Sequence, residues 1–329
     1  MSPPRPAGLI DVHAHVALPD ALGRAGALGP TQGVGDDGTP WFQVGDYRLD
    51  GVRYDHTPFS DLTLRLEAMD RLGITHQVLS PNPIVLLANS EIAGAARYAR
   101  WHNEALAELV AERPDRVSAL SQVPVQDPSL AATELRRAVD TLGHVGLALG
   151  TEAPFDLDDG AMDPLWAEAE SLGAPVFVHP APHGIDKPSP DARLGRFGLD
   201  LSLGFLLEET LAVAQLILGG VLDRHPGLRV CVSHGGGATA WLAPRLRTSA
   251  TRMGMTAADI DAGLARLWWD SHVGGGAPLR LLIDTVGTDH LVLGTNLAGW
   301  DSPSELTDEV PAELLDPLAD NARALLGWT

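Results

Sequence analysis

The stretch LIDVHAHV, residues 9–16, is a short apolar run in which polar and aliphatic side chains alternate. An alternation of period two is typical of a β-strand. Seven more apolar runs follow along the chain, and short runs bounded by turn residues predict buried strands. They are ITHQVLS (74–80), VSALSQVP (117–124), VGLALG (145–150), PVFVHP (175–180), RVCVSHGG (229–236), LWWDSHV (267–273) and LVLGTN (291–296).

Amphipathic segments separate these runs. Residues 61–72, 91–112, 130–142, 164–172 and 205–224 carry apolar side chains at helical spacing. Eight strands alternating with helices predict an α/β fold, a distorted (β/α)8 TIM barrel that forms one domain over residues 1–329. An open doubly wound sheet is the alternative, but no glycine-rich phosphate loop follows the first run. Residues 17–59 break the alternation and are expected to form an insertion or lid loop over the site.

The composition restricts the possible partners. The chain of 329 residues has 43 acidic against 23 basic side chains and a formal charge of −20, so we expect neither nucleic acid nor an anionic membrane as a partner. The apolar stretch LAVAQLILGGVL is too short to span a bilayer. The first residues lack a signal-peptide pattern. The single cysteine, Cys231, excludes an internal disulfide and is typical of a reducing cytoplasm. We therefore expect a cytoplasmic protein.

Five histidines stand at or near the ends of predicted strands. His13 and His15 are two residues apart in the first run, so both side chains are expected on one side, where they can hold one metal ion. Taken alone, this pair is equally consistent with two structural histidines. His179, His234 and His272 each end an apolar run. Because the strand ends of a barrel converge on one face, the sequence predicts a histidine-lined site there.

The chain resembles the amidohydrolase superfamily, in the branch of 2-amino-3-carboxymuconate-6-semialdehyde decarboxylase. The motifs DVHAHV, PWFQV, LEAMDRLGIT, LSQVPVQDP, FVHP, SHGGGA and VGTDHLVLGTN occur in the family's order and spacing. The resemblance implies a homodimeric barrel with one divalent metal ion, zinc or a similar ion such as manganese. It implies that His13, His15 and His179 bind the metal. His234 would orient the metal-bound water and move a proton.

The resemblance also implies residues that hold the substrate. Arg245 would reach the site of the neighbouring subunit and bind a substrate carboxylate. Arg53 is a candidate for a second such arginine. The loop between PWFQV and Arg53 is shorter than in the family, so Arg48 is a competing candidate. Trp41, in PWFQV, and His183, which follows the fifth run into a loop, are further candidates for substrate binding.

The last run ends on a neutral residue where the family has an aspartate. The family pattern is Gly-[Ser/Thr]-Asp, and this chain reads GTN with Asn296. An amide offers only a neutral oxygen, so we expect weaker metal binding and the loss of a general base. Asn296 is thus both a metal and a catalytic candidate. Three explanations are open: a natural variation, a role taken over by Asp270, His272 or Asp301, or a deliberate Asp-to-Asn replacement.

Three functions are compatible with these residues. The first is a metal-dependent non-oxidative decarboxylase, a C–C lyase, acting on a small unsaturated or aromatic carboxylic acid. The second is a hydrolase, or a cyclising or condensing enzyme of secondary metabolism, acting on an amide, ester or lactone; loss of the basic aspartate counts against simple hydrolysis. The third is a metal-free binding barrel, which the four retained histidines of the family pattern argue against.

Overall fold

Eight parallel strands form a barrel in the structure, a computed structural model that describes residues 7–151, 153–182, 184–186 and 191–328. A parallel bridge between Asp11 and Leu293 joins the last strand to the first. All eight apolar runs lie on these strands, so the predicted TIM barrel is confirmed and the open sheet is wrong. The strands, in their order round the barrel, are β1 Ile10–Val16, β5 His76–Pro81, β6 Val117–Ser121, β7 Gly146–Leu149, β8 Val176–Val178, β9 Val230–Val232, β10 Trp268–Asp270 and β11 Leu291–Val292.

Helices connect the strands. The predicted segments match α1 to α4 to within two residues at either end, and the fifth segment is divided into α5 and α6 by Gly219 and Gly220, where Gly220 has a left-handed φ of 72°. Asp61 and Asp127 cap α1 and α3 by accepting backbone N–H groups of the first turn. The helices are α1 Leu62–Leu72, α2 Ile92–Glu112, α3 Pro128–Leu142, α4 Asp163–Leu172, α5 Phe205–Leu218, α6 Val221–Arg224, α7 Thr239–Ala250, α8 Ala257–Arg266, α9 Gly276–Val286, α10 Leu306–Glu309 and α11 Leu315–Leu326.

The barrel interior explains why the histidines share one end. Alternate strand residues point inward, and an apolar layer that includes Val12, Phe177 and Trp268 fills the interior. Two residues beyond Phe177 comes His179, and two beyond Trp268 comes Asp270. The alternation therefore turns these polar side chains inward immediately above the apolar layer, at the carboxyl ends of the strands.

A bulge in β1 adjusts the position of the first histidine. The pairing of β1 with β5 shifts between Asp11 and Ala14, so that β1 holds one residue more than its partner. A bulge turns side chains away from strict alternation. His13 is consequently buried in the interior beside Phe177, with the ring centroids 5.3 Å apart, although its neighbour Val12 also belongs to the interior layer.

The segment between β1 and α1 holds regular structure that the sequence did not predict. Its strands β2 Thr31–Val34, β3 Pro40–Val44 and β4 Tyr47–Asp50 form a separate antiparallel sheet in the order β2-β3-β4. Phe42 and Val44 of this sheet pack with Ile84, beyond β5, and Ile185, beyond β8. The sheet is thereby fixed beside the ends of the barrel strands.

The helix around α5 is longer than its apolar sequence run suggests. A π-helical turn precedes it, so that the continuous helix covers Asp200–Leu218. An 18-residue window of this 19-residue helix has a mean hydropathy of 1.6, so the helix is long and apolar enough to cross a membrane by length and composition alone, unlike the shorter stretch LAVAQLILGGVL. The core helix of a soluble protein can meet the same criteria. In this helix, 39% of the window is buried inside the protein.

Candidate metal centre and active site

Five histidine rings cluster at the carboxyl ends of the barrel strands. The ring of His13 lies at the centre, with ring centroids 5.1, 5.0, 4.9 and 5.5 Å from those of His15, His179, His234 and His272. One ligand atom from each of His13, His179 and His234 lies within 4.8 Å of the other two. The structure thus brings together the five histidines that the sequence placed at strand ends.

Hydrogen bonds hold the three histidines expected to bind the metal in one tautomer. Nδ1 of His13 donates to Oδ2 of Asp270 at 2.5 Å, and Nδ1 of His179 donates to the backbone oxygen of Pro180 at 2.7 Å. The Ser80 hydroxyl donates to a backbone carbonyl and accepts from Nδ1 of His15 at 2.8 Å. With Nδ1 protonated, Nε2 of each ring carries a lone pair, which is the arrangement of metal-binding histidines.

The Nε2 atoms fit a divalent cation. Nε2 of His13 is buried without a hydrogen-bond partner among the described residues. Nε2 of His15 and Nε2 of His179 face each other at 3.3 Å, an arrangement that two lone pairs make unfavourable unless a cation lies between or beside them. Burial lowers the pKa of His15 to about 3, and burial with the neighbouring imidazoles lowers the pKa of His13 and of His179. These rings are therefore neutral, as metal ligands must be.

Asn296 lies in the loop after β11, on the wall of the same cavity as His15 and His179. Its backbone N–H donates to the backbone oxygen of His13 at 2.8 Å, and its φ of 44° is a left-handed conformation that asparagine tolerates. Its Nδ2 donates to Oδ1 of Asp301 at 2.7 Å, while its Oδ1 is buried and unpaired among the described residues. A Cβ at Gly299 would come within 2.4 Å of this amide, so a glycine is needed there. The unpaired oxygen suits a fourth, neutral ligand.

His234 is held by a carboxylate that the sequence did not single out. Its Nδ1 lies 2.5 Å from Oε1 of the fully buried Glu209 on α5, which also accepts from the Ser233 hydroxyl. Burial lowers the pKa of His234, but the Glu209 carboxylate outweighs it and the net shift is upward. The signal that could have found Glu209 is a lone acidic residue on the buried side of an apolar helix.

His272 and Asp270 have separate environments. His272 lies between two carboxylates: Nε2 is 3.2 Å from Oδ2 of Asp301 and Nδ1 is 3.2 Å from Oε1 of Glu309. Burial lowers the pKa of His272, but these two carboxylates raise it overall to about 10. Asp270 is fully buried and accepts backbone N–H groups of Gly235 and His272 through Oδ1, opposite its bond to His13. Burial raises the pKa of Asp270 to about 7.

A cavity of about 1270 Å³ opens above the histidines. The antiparallel sheet and its following loop, the loops after the strands, and α5, α7 and α9 contribute to its wall. Most wall residues are apolar, and they include Tyr54, Phe59, Ile84, Phe205, Leu206, Trp241, Leu282 and Trp300. His15, His179, His234, His272, Asn296 and Asp301 lie at its polar end. Such a cavity suits a small, largely apolar molecule with one polar group directed at the histidines.

The substrate-binding candidates differ in position. Arg53 lines the cavity, and among the described residues no carboxylate pairs with its guanidinium. Arg48 lies away from the lining, 2.7 Å from Asp50, with its guanidinium 4.6 Å from the ring centroid of Trp41, which is also absent from the lining. Arg245 is exposed on α7 and does not reach the cavity of its own chain. His183 lies outside the described residues.

Comparisons with known proteins identify the family of the chain. The Amidohydrolase family profile matches residues 10–329. The 2-amino-3-carboxymuconate-6-semialdehyde decarboxylase of Dictyostelium discoideum is 30% identical over 79% of this chain and 71% of its own length. The gamma-resorcylate decarboxylase of Rhodococcus jostii (strain RHA1) is 32% identical over 70% of this chain and 67% of its own.

A solved structure has the same fold. The dihydroxybenzoic acid decarboxylase of Polaromonas sp. JS666, described with bound manganese and the inhibitor 2-nitroresorcinol, superposes with a TM-score of 0.76 at 22% identity, over 97% of both chains. Together with the histidine cluster at the barrel mouth, these matches show that the chain belongs to the amidohydrolase family.

Proposed function

We propose that this protein is a metal-dependent, non-oxidative decarboxylase of an aromatic or unsaturated carboxylic acid. The observation that carries the proposal is the cluster of buried histidines below an apolar cavity, in which Nε2 of His15 and Nε2 of His179 face each other at 3.3 Å and ligand atoms of His13, His179 and His234 lie within 4.8 Å of one another. Relatives that are at least 30% identical are named as decarboxylases. A bound divalent ion, manganese or zinc, would be held by these histidines and the Asn296 oxygen and would act as a Lewis acid on the substrate's oxygens.

His234 is suited to deliver the proton. Its Nδ1 is engaged by Glu209, which leaves Nε2 as the nitrogen available to the cavity. Decarboxylation replaces the carboxylate of the substrate by hydrogen: a proton adds to the ring carbon, the bond to the carboxylate breaks, and carbon dioxide leaves. The Glu209 carboxylate stabilises the protonated imidazole of His234 before the proton is transferred to the substrate. Arg53, at the cavity wall, supplies a positive charge for the substrate's carboxylate or a second acidic group.

The insertion has a proposed role as well. Residues 17–59 lie over the site as a lid within a single domain, and their sheet and following loop supply Tyr47, Tyr54 and Phe59 to the cavity wall. This position supports a role in excluding water from the bound acid.

A second copy of the chain is the proposed partner. Leu203, Leu207 and Leu211 project at intervals of four along the helix and are 52%, 47% and 47% exposed, and Trp241 of α7 is 75% exposed at the cavity edge. Arg245 lies one helical turn beyond Trp241. A twofold partner covering this face would bring its own Arg245 towards the cavity, as the family resemblance implies. Sedimentation of a Trp241→Glu variant as a monomer, against a dimeric native protein, would support this contact.

The function is tested by carbon dioxide release. Protein stripped of metal with a chelator and reloaded with Mn²⁺ is offered a panel of 2-hydroxybenzoates, alongside a lactone and an anilide. We expect release of carbon dioxide from at least one acid, its loss on stripping, and its loss in His234→Asn. Hydrolysis of the lactone or anilide without decarboxylation would favour the hydrolase. No bound metal and no turnover would favour the binding barrel. The single, buried Cys231 supports a proposed cytoplasmic location.

A further inference from the structure

We propose that Asp301 supplies, through one hydrogen bond, the negative charge that Asn296 cannot supply directly to the metal site. The inference rests on the function proposed above and concerns how this particular chain balances the charge of its ion. Asp301 lies five residues after Asn296 in the loop that follows β11, and its carboxylate contacts both Asn296 and His272.

The Asp270 carboxylate, which contacts His13, is already engaged. Both oxygens of Asp270 are used, one by Nδ1 of His13 and the other by two backbone N–H groups. Asp270 is fully buried beneath the His13 ring and is absent from the cavity lining. It therefore orients a metal-binding histidine from behind and is not free to act on the cavity side.

His272 cannot replace the missing charge either. Both of its nitrogens lie 3.2 Å from carboxylate oxygens, of Asp301 and of Glu309. Each carboxylate favours a proton on the nitrogen that it faces, and an imidazole carries no negative charge whether it is neutral or protonated. His272 thus offers no negative charge to the ion.

Asp301 has the position that the role requires. Its side chain is 26% exposed and lines the cavity, and one of its oxygens lies within 4.8 Å of ligand atoms of both His234 and His272. Its Oδ1 accepts from Nδ2 of Asn296 at 2.7 Å. A carboxylate bonded to the amide N–H₂ draws electron density towards the amide oxygen, and this oxygen, Oδ1, is buried and has no hydrogen-bond partner among the residues that the structure describes.

The arrangement differs in chemistry from a direct aspartate ligand. The negative charge is kept next to the site, but the atom nearest the ion is an amide oxygen, which does not accept a proton at neutral pH. The ion would keep its charge compensation without a general base attached to it. This combination suits protonation of a substrate carbon better than activation of a water molecule.

The test measures Mn²⁺ binding to the full-length, metal-free protein by calorimetric titration. Asp301→Asn removes the charge at this position. Asp50→Asn is the matched control, because Asp50 also lines the cavity but is 65% exposed and pairs with Arg48. Glu309→Gln removes the other carboxylate beside His272. The double variant Asn296→Asp with Asp301→Asn exchanges the two side chains.

We expect Mn²⁺ binding at least about 10-fold weaker in D301N, which is the effect typical of losing a partner of a metal ligand. D50N and E309Q should stay within about twofold of the native protein, since neither touches Asn296. The exchanged double variant should recover to within about threefold of native binding or better, because the charge is again present beside the ion.

Three results would overturn the proposal: native-like binding in D301N, an equal loss in D301N and D50N or E309Q, or failure of the exchanged variant to recover binding. Circular dichroism and thermal melting verify that each variant folds, and Asp301→Ser replaces D301N if the latter melts well below the native protein. Carbon dioxide release is measured separately. The expected binding pattern without any decarboxylation would uphold the role of Asp301 and reject the proposed function.

Discussion

Replacing Asp270 by asparagine is expected to weaken metal binding through the tautomer of His13. In the native protein one carboxylate oxygen accepts from Nδ1 of His13 at 2.5 Å, and the other accepts from the backbone N–H groups of Gly235 and His272 at 3.2 Å each. An amide can satisfy the two N–H groups only with its oxygen. Its N–H₂ group must then face Nδ1 of His13, so a donor meets a donor.

The size of the loss in metal affinity follows from the two tautomers that His13 can adopt in this variant. If Nδ1 of His13 gives up its proton to Nε2, the ligand atom no longer has a lone pair. If Nδ1 stays protonated, a buried donor is left unsatisfied at a cost of about 1–3 kcal/mol. At about 1.4 kcal/mol for each factor of ten, the affinity for Mn²⁺ falls about 5- to 150-fold. Loss of an orienting partner of a metal ligand typically costs about 10- to 100-fold, which is the same range.

Calorimetric titration of metal-free D270N with Mn²⁺ measures this loss, with Asp50→Asn as a control for the change of charge. Burial raises the pKa of Asp270 to about 7, which means that the ionised carboxylate is disfavoured in the metal-free fold. The melting temperature of metal-free D270N is therefore not expected to fall. Binding of Mn²⁺ within twofold of the native protein, in a folded variant, would refute the tautomer argument.

Three more predictions concern other parts of the molecule. Glu209→Gln removes the charged partner of His234, so we expect a loss of turnover of about 100-fold or more with Mn²⁺ affinity unchanged; an equal loss of both in titration and assay would contradict this. Gly237→Ala places a Cβ 2.2 Å from the backbone oxygen of Leu206 at a φ of 64°, so the free energy of unfolding should fall by roughly 2–5 kcal/mol, and an unchanged melting curve would contradict this. His144 is buried, and burial lowers its pKa to about 4, so its neutral form stabilises the fold fully above pH 6.5 and less as the pH falls towards 4. Between pH 7.5 and pH 5.5, the free energy of unfolding should decrease by about 1.3 kcal/mol less in His144→Gln than in the native protein. Chemical denaturation at the two pH values measures this, and an equal decrease in both proteins would contradict the prediction.

The barrel was predictable because its signals are local. Each strand is a short apolar run between turn residues, and α1 and α3 begin at capping residues, Asp61 and Asp127. The alternation that places Phe177 in the interior also directs His179 to the site, so the strand-borne histidines followed from the same pattern. Only the bulge in β1, which depends on pairing with β5, could not be read from the run itself.

The unpredicted parts depend on contacts between distant segments. The sheet in residues 17–59 consists of short strands with mixed polarity, whose order is decided by packing on Ile84 and Ile185. Glu209 comes from a helix and Glu309 from the α10 segment, both far from the histidines in sequence, and neither belongs to a strand end. The sequence identified Asn296 as unusual but left three explanations open. Which carboxylate contacts it is decided by the course of the loop to Asp301.

The pairing of β1 with β11 makes the candidate site dependent on contact between two segments that are far apart in the chain. The Thr295 hydroxyl donates to Asp11 at 2.6 Å across a separation of 284 positions, and the backbone of Asn296 bonds to that of His13 beside it. During synthesis, His13 and His15 are made long before Asn296, so the site cannot form until the segment that carries Asn296 has been added. Contacts of such long range form slowly. A bound cation would then stabilise the closed barrel, because its binding energy is available only to molecules in which β11 has paired with β1.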